Sequence, residues 1–500
     1  MKCSHTLAPP SRYVPVFLSM ALAGMTVQRS AALVFWNNGV TADWFGSSGW
    51  YGGEAPASNA GQVSITSGNA IISRTDLGTA YGDQLQLGGS IYGSVGTATL
   101  AISDGGDLES HYAYIGNFSG SSGSITLDGT GSTWTNTNAI YFGNSGGNAS
   151  LSITNGGTFL STGYTFIGYG NGTASITVSG SGSLFQASGV PASLGYSGGT
   201  GTLTLANGGT AKFGSSGDYA LQFSQDGTGT GTLNIGTGGT AGTLLASSVE
   251  GSGGSTSKVN FNHNESAYTF AIAINGNIAV EQKGSGTTLL TAASTYTGGT
   301  TITAGKLVVN NTSGSATGTG DVLAQANSTL AGNGTIGGAI TMLGTFAPGN
   351  SVGKLNTGSL TIGATGTYTW EMNNASGTAG TTAGGWDLAN ITGTLTFQLG
   401  ATLTISSLGL DNLAGQATNF NPLADYLWTI ATTTDGVTGA GNVTLDTSAF
   451  QNAAPGTFSL LVSGNDLQLR YEGGVTVPEP STFLALIAGS PFVLRRKRTR

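Results

Sequence analysis

Charged residues and cysteine are scarce in this chain. Only 8% of its 500 residues are Asp, Glu, Lys or Arg, and the single cysteine, Cys3, stands next to the start. A body without cysteine can form neither a disulfide nor a thiolate metal site. Proline is also infrequent, with 11 residues, whereas glycine reaches 86. This composition is unlike that of an ordinary globular enzyme.

Basic residues are especially few in the central part of the chain. Residues 33–480 hold seven Lys and Arg against all 23 Asp and Glu, which gives a net charge of about −16. Proteins that bind nucleic acids through phosphate contacts need clustered basic side chains, so we expect no nucleic-acid partner. Solubility is the simplest consequence of the acidic charge, and no Asp-rich Ca²⁺ loop argues for cation binding.

Familiar catalytic motifs are missing as well. Downstream of Ala32 the histidines are His111 and His263, in unrelated contexts, which leaves little material for a metal site or a catalytic triad. No nucleophile elbow, HExxH or phosphate loop occurs. Asp104, Asp107 and Glu109 lie close together and are the candidate acids for glycoside hydrolysis. We expect a protein that is not an enzyme and has no cofactor, with a polysaccharide lyase or hydrolase as the alternative.

What the chain does contain is an internal repeat with a period of roughly 25 residues. Segments such as GTATLAISDGG, ASITVSGSGSLF and GTLTLANGGTAKF recur through its first half. The first apolar core residues of six copies are Leu100, Ile125, Leu151, Ile176, Leu203 and Leu233. A second motif lies between the copies, and it begins at Tyr114, Tyr141, Phe166 and Ser193. Repeats of 20 to 50 residues are typical of solenoids.

Each copy alternates apolar and polar residues, as in Leu203, Thr204 and Leu205. This is the period of a β-strand with one face turned inward. Asn-Gly-Gly and Ser-Gly-Gly follow and mark turns in which positive φ suits Asn and Gly. The pattern predicts an all-β fold, a right-handed parallel β-helix of 15 or more coils that forms a rod roughly 70–80 Å long. A β-sandwich, or a string of them, is the alternative fold.

Tryptophans occur near both ends of the expected rod. Those near the start are Trp36, Trp44 and Trp50. Their rings suit either capping of the open core at a terminal coil or stacking against sugars, and we favour capping. Near the other end, Trp386, Trp428 and a strand from Asp466 to Tyr471 are expected to form a closing β-region, with both tryptophans in the core.

Residues 1–32 have the features of a cleaved signal peptide. Lys2 and Arg12 give a positive start, an apolar stretch of about 15 residues follows, and Ser30 and Ala32 are small residues suited to a cleavage site. The apolar stretch is shorter than the ~20 residues that a membrane-spanning helix needs. We therefore expect export with removal of this segment.

Residues 477–500 have three parts. A Pro-Glu-Pro is followed by an apolar stretch from Phe483 to Leu494 and then by a basic cluster, which is expected to stay in the cytoplasm. The signal residues are Val477, Pro478, Glu479, Pro480, Arg495, Arg496, Lys497 and Arg498. This tail resembles the PEP-CTERM sorting signal of Gram-negative, exopolysaccharide-producing bacteria. The resemblance implies a short transmembrane segment, a transient stay in the inner membrane and an exosortase-like processing enzyme.

Residues 284–311 read GSGTTLLTAASTYTGGTTITAGKLVVNN. They resemble the autotransporter-associated β-strand repeat, most specifically from Thr295 to Leu307. Residues 331–363 resemble the continuation that is usual in that family, including APGNS from Ala347 to Ser351. The resemblance implies a passenger-type parallel β-helix outside the cell.

These patterns divide the chain into six parts. They are a signal peptide (1–32), an N-terminal cap with the first coils (33–95), a solenoid of ~25-residue repeats (96–280), the autotransporter-associated repeat region (281–370), a closing β-region (371–476) and the sorting tail (477–500). Together they predict an exported protein of the bacterial cell surface or extracellular matrix. Its role is expected to be structural or adhesive, with exopolysaccharide or other envelope components as partners.

Overall fold

The computed structural model describes residues 33–36, 39–56, 61–73, 78–90, 92–254, 257–382 and 384–474. The expected signal peptide, and the sorting tail with its transmembrane segment, lie outside these ranges. Within them the regular structure is β-strand, apart from 3-10 turns at Ser47–Gly49 and Ala440–Asn442. No helix in these ranges is long and apolar enough to cross a membrane. The all-β class is therefore confirmed.

The first face of the fold is continuous from end to end. Sixteen strands of the described residues stack in it, and every neighbouring pair is parallel. At ~4.8 Å per step, the face is about 72 Å long. In stacking order the strands are Thr41–Asp43, Gly68–Ile72, Thr97–Ile102, Ser122–Asp128, Asn148–Thr154, Thr173–Ser179, Thr200–Ala206, Thr230–Ile235, Ser257–Phe261, Ile278–Gln282, Thr300–Ile302, Val322–Ala324, Ile340–Met342, Leu360–Ile362, Leu395–Phe397 and Val437–Thr438.

The second sheet covers the first half of the rod and divides into two branches. Its stem is Leu33–Phe35, Gln62–Ile65, Ala80–Leu87 and Asp107–Asn117. One branch is Thr133–Asn136, Thr158–Ser161, Leu184–Ala187, Thr210–Phe213 and Thr243–Leu245. The other is Ile140–Asn144, Thr165–Tyr169, Ala192–Tyr196, Leu221–Phe223, Ser248–Gly251 and Ala273–Gly276. Beyond the stem, a coil in this half therefore contributes three strands, one to each face of the solenoid.

Two further sheets cover the second half. The larger consists of Tyr268–Phe270, Thr287–Leu290, Gly305–Val309, Ser328–Gly332, Thr345–Pro348, Thr367–Met372, Thr378–Ala379, Gly385–Trp386, Thr402–Ser407 and Thr444–Asp446. The smaller consists of Lys354–Thr357, Leu388–Ile391, Tyr426–Thr433, Asp466–Glu472 and Thr457–Ser463. The last three of these strands pair antiparallel and close the end of the rod.

The register between coils matches the repeat seen in the sequence. The six core residues from Leu100 to Leu233 pair with one another in a single column. All six are at most 1% exposed. Ile176 is fully buried, whereas its neighbour Thr177 is partly exposed. The predicted inward and outward alternation is confirmed.

Glycine is required near the end of the second motif's strand Thr165–Tyr169. Gly168 has a φ of 77°, and a Cβ there would lie 2.3 Å from the carbonyl oxygen of Thr200 in the next coil. Asn155 and Gly156 also have positive φ, as predicted for the Asn-Gly-Gly turn. These corners let one coil lie directly on the next.

Coil length differs between the two halves of the rod. Equivalent residues are 25 to 30 apart from Leu100 to Leu233. They are only 18 to 22 apart from Val280 to Leu360. The shortening begins with the coil from Val259 to Val280, which spans 21 residues and still contains Ala273–Gly276, the last strand of the second sheet. The repeat period expected from the sequence therefore applies to the first half alone.

The tryptophans near the start are inside the fold. Trp36, Trp44 and Trp50 are 2%, 0% and 1% exposed. Trp50 packs edge-to-face on both of the others, with ring centroids 4.7 and 4.9 Å apart. Edge-to-face packing of this kind is favourable. The three rings serve the core and are covered from any sugar in solution, as expected for capping.

The closing region also contains the expected aromatic residues. Trp428 is 1% exposed, and its Nε1 donates to the carbonyl of Ala375 over 2.9 Å. Trp386 is only half-buried, but it packs against the core and donates to the carbonyl of Thr429 over 3.0 Å. Trp428 is therefore a core residue, and Trp386 lies at the margin of the core.

The alternation can be tested with a matched pair of substitutions. Ile176→Asp places an unpaired charge between stacked coils and should lower the free energy of unfolding by about 3–5 kcal/mol. Thr177→Asp, one residue along the same strand, should change it by less than about 0.5 kcal/mol. Thermal and urea unfolding measure both variants. Equal shifts for the two would contradict the register.

Candidate functional site

The second motif places aromatic side chains on the outside of the rod. Tyr114, Tyr141 and Phe166 occupy paired positions in three successive coils. The residues that follow them in the strands, Ile115, Phe142 and Ile167, are fully buried. Since successive side chains of a strand point to opposite faces, the three aromatic rings point outward.

These rings form a stacked column, which we call the aromatic ladder. The ring centroids of Tyr114 and Tyr141 are 5.1 Å apart with planes at 4°, and those of Tyr141 and Phe166 are 5.2 Å apart at 17°. Adjacent rings cover each other's faces and are half-buried. Burial, with a smaller contribution from neighbouring tyrosines, raises the pKa of Tyr141 to about 12. Its phenol therefore stays protonated and can both donate and accept hydrogen bonds at neutral pH.

A second outward column runs beside the ladder, three residues further along each strand. Tyr169 and Tyr196 pair there, with ring centroids 5.5 Å apart and planes at 5°. The ring of Tyr169 also packs edge-on against Tyr141. In the two preceding coils the column holds Asn117 and Asn144, joined by a hydrogen bond of 2.8 Å from the Asn144 amide. The aromatic surface therefore widens from Tyr114 towards Tyr196.

The ladder stops where Ser193 pairs with Phe166. Ser193 is fully buried, and its Oγ has no hydrogen-bond partner among the described residues. A cleft of about 350 Å³ opens at this end of the ladder. It is lined by Tyr164, Phe166, Val190, Pro191, Tyr196, Gln225 and Asp226.

The polar groups of the cleft come from the turn after the strand Leu221–Phe223. The carboxylate of Asp226 accepts hydrogen bonds from the backbone N–H of Ser197 and from the hydroxyl of Thr228, each over 2.9 Å. The side chain of Gln225 is exposed. Asp226 is the one acid among the residues that line the cleft. The arrangement offers an aromatic wall and a polar rim, which suits binding and lacks the paired carboxylates of a glycosidase.

The three acids considered for catalysis lie on the surface of one coil. Asp107 accepts hydrogen bonds from the hydroxyls of Thr79, over 2.7 Å, and Thr133. Asp104 and Glu109 are exposed, and Asp104 lies in a turn with a φ of 53°. Asp107 therefore links its own coil to the coils on both sides of it.

The two histidines do not meet. His111 hydrogen-bonds through its ring to Thr137 and Asn138, each over 3.1 Å. His263 lies six coils away, is fully buried, and contacts the hydroxyl of Thr288 over 2.9 Å. Burial lowers the pKa of His263. Within the described residues no group of three or more His, Cys, Asp or Glu is placed to hold a metal ion.

One buried carboxylate had no role assigned from the sequence. Asp387 is fully buried and accepts the backbone N–H groups of Gly353 and Glu371 over 2.8 and 2.9 Å. Burial, and secondarily the charge of Glu371, raise the pKa of Asp387 well above its usual range. Asp387 joins strands of the closing region through these two bonds.

The aromatic ladder could have been predicted from the spacing of aromatic residues in the second motif. Three copies of the second motif begin with an aromatic residue, at spacings of 27 and 25. With one strand per coil, that spacing alone stacks the rings. The cleft was not predictable in this way, because it depends on how two turns of different length approach each other.

The fold and its surface define a parallel β-solenoid with an outward aromatic face. The model of the Passenger-associated-transport-repeat family matches residues 280–309. This match confirms the resemblance to autotransporter repeats. The chain is also 43% identical over 112 residues to the Adhesin BmaC autotransporter of Brucella suis biovar 1 (strain 1330). The alignment covers 22% of this chain and 3% of that protein, so this chain spans a small part of its relative.

Stacking in the ladder can be measured at Tyr141. Tyr141→Ala removes a ring that packs on both neighbours and should lower the free energy of unfolding by about 2 kcal/mol, whereas Tyr141→Phe should cost less than about 0.5 kcal/mol. Tyr51→Ala is the control, since Tyr51 is 80% exposed. Urea unfolding reports all three. A Tyr141→Ala effect no larger than that of Tyr51→Ala would show that the stacked column adds no stability.

Proposed function

We propose that this chain is an exported bacterial cell-surface protein with a structural or adhesive role, and that it is not an enzyme. The observation that carries the proposal is the aromatic ladder on the outside of a long stacked rod. Half-buried rings and a nearby cleft form a binding face on a rigid scaffold. The acidic body keeps such a rod soluble outside the cell.

The comparisons support this proposal. The repeat family is associated by its name with passenger transport, and the relative's name describes it as an adhesin. Both matches fall on a limited part of the chain. Their names favour an adhesin-like passenger and do not name a ligand. The alternative, a polysaccharide lyase or hydrolase, lacks support at the cleft, because a glycosidase needs two facing carboxylates.

Surface location and adhesion test the proposal in the source bacterium. Antibody against the solenoid should label intact cells, and a deletion strain should adhere less to surfaces or matrix than the complemented strain. Labelling that appears only after cell lysis would contradict export to the surface. Unchanged adhesion in the deletion strain would restrict the role to a structural one.

We also propose that the tail is a transient anchor processed at Pro478-Glu479-Pro480 by an exosortase-like enzyme. The basic cluster from Arg495 onward is retained in the cytoplasm under the positive-inside rule. The twelve residues from Phe483 to Leu494 make only ~18 Å of helix, against a hydrocarbon core of ~30 Å. Pro491 lies within that stretch and disfavours a straight helix. A segment this short is a poor permanent anchor.

Processing is read directly from the C-terminal peptide. Mass spectrometry of surface-located protein should find no peptide from Arg495 to Arg500. Changing Glu479 to Ala should leave the full-length chain in the inner membrane. An intact basic end on surface-located protein would refute processing and leave an ordinary tail anchor.

A further inference from the structure

The cleft at the end of the ladder has an aromatic wall that is not covered by stacking. Tyr141 covers one face of Phe166, but the position on the other side is held by Ser193, which is too small to cover a ring. Tyr196 approaches Phe166 with centroids 5.3 Å apart and planes at 56°, so it leans towards the ring without stacking on it. Tyr164 lies 6.1 Å from Phe166 with its plane parallel to within 2°, and it is 54% exposed.

Two turns complete the walls. Val190 and Pro191 come from the loop before the strand Ala192–Tyr196, and Gln225 and Asp226 come from the turn one coil further on. The volume of about 350 Å³ is at the lower end of the range for small-molecule pockets, which suits one ring of a ligand. Apolar walls with a few polar groups at the rim fit a molecule that has one apolar face and a polar edge.

We infer that this cleft, walled by Tyr164, Phe166 and Tyr196, binds a neutral sugar ring of a polysaccharide. A pyranose presents axial C–H groups on its face and hydroxyls around its edge, which matches aromatic rings beneath and an amide or phenol at the rim. The Gln225 amide both donates and accepts, as sugar hydroxyls require. The carboxylate of Asp226 disfavours an anionic uronate at the same rim. The inference rests on the proposed adhesive role and names the chemical class of its ligand.

The ladder beside the cleft gives the site its rigidity. Phe166 is fixed by stacking on Tyr141, and Tyr196 is fixed by stacking on Tyr169. Rings that are already held lose little freedom when a ligand binds, so more of the contact energy appears as affinity. Tyr164 lies outside the aromatic ladder. Thr165 pairs with Ile140, which places Tyr164 beside Ala139 in the neighbouring coil, and alanine has no ring on which Tyr164 could stack.

The test measures binding of the full-length chain to immobilised cellulose, mannan, dextran and galactan, with alginate as the anionic comparison. We expect binding to at least one neutral polysaccharide and markedly weaker binding to alginate. Tyr164→Ala should weaken binding about tenfold, and Gln225→Ala about threefold. Tyr51→Ala and Tyr92→Ala, which remove exposed rings elsewhere, should leave it unchanged. Melting temperatures of the variants should equal that of the parent chain.

Three outcomes would overturn the inference. They are binding to none of the four neutral polysaccharides, equal binding by Tyr164→Ala, and preference for alginate. Self-association that is lost in Tyr164→Ala, with polysaccharide binding intact, would assign the cleft to a second copy of the chain instead. None of these results depends on cell-surface labelling. A chain that is labelled on intact cells but fails the sugar test overturns this inference alone, whereas a chain absent from the surface overturns the proposed function.

Discussion

Backbone hydrogen bonds between successive coils hold each residue about 4.8 Å from its equivalent in the next coil. Every outward or inward position therefore becomes a column, and neighbours in a column must tolerate close contact. Apolar residues satisfy this inside, as in the column from Leu100 to Leu233. Outside, hydroxyl and amide side chains bond to their equivalents, as Asn390 does to Asn356. The aromatic ladder is the same constraint applied to aromatic rings.

The constraint also explains how much of the fold could be predicted from sequence. The register of the first half follows from a period-two alternation and from turn residues at fixed offsets, and Leu203 pairs with Ile176 and Leu233 as expected. The shorter coils of the second half lack the Asn-Gly-Gly and Ser-Gly-Gly turns, so these signals could not predict their register. Capping by Trp36 was expected, but its edge-to-face packing on Trp50 could not be predicted, since the N-terminal segment belongs to no repeat.

The candidate site was harder to predict because it arises from an irregularity in the column. A solenoid with identical coils has a uniform surface, and a cleft opens where one coil replaces a large side chain by a small one. Ser193 does this beneath Phe166, in a stretch where the coils lengthen from Phe166 to Ser193 and again from Ser193 to Gln222. One additional residue lies in the turn that carries Pro191, and those of the next coil lie in the loop between Thr210–Phe213 and Leu221–Phe223. In repeat proteins, insertions of this kind map to loops on one face, which is often the binding face.

The change from long to short coils is a second irregularity, and polar residues stabilise it. The strands Thr243–Leu245 and Tyr268–Phe270 do not pair, although the first face continues past them. The hydroxyl of Tyr268 donates to the carbonyl of Gly242 over 3.0 Å and so bridges the gap. Beside it, His263, Thr288 and Gln282 form a buried hydrogen-bonded chain.

Buried polar chains of this kind are favourable only when every member has a partner, so they fix one arrangement of the backbone around them. The match to the Passenger-associated-transport-repeat begins at residue 280, so it includes Gln282 and Thr288 of this junction. The rod therefore consists of two repeat arrays of different coil length. They are joined where the side chains of His263, Thr288 and Gln282 are hydrogen-bonded to one another. The aromatic face lies on the longer coils and the transport-type repeat on the shorter ones.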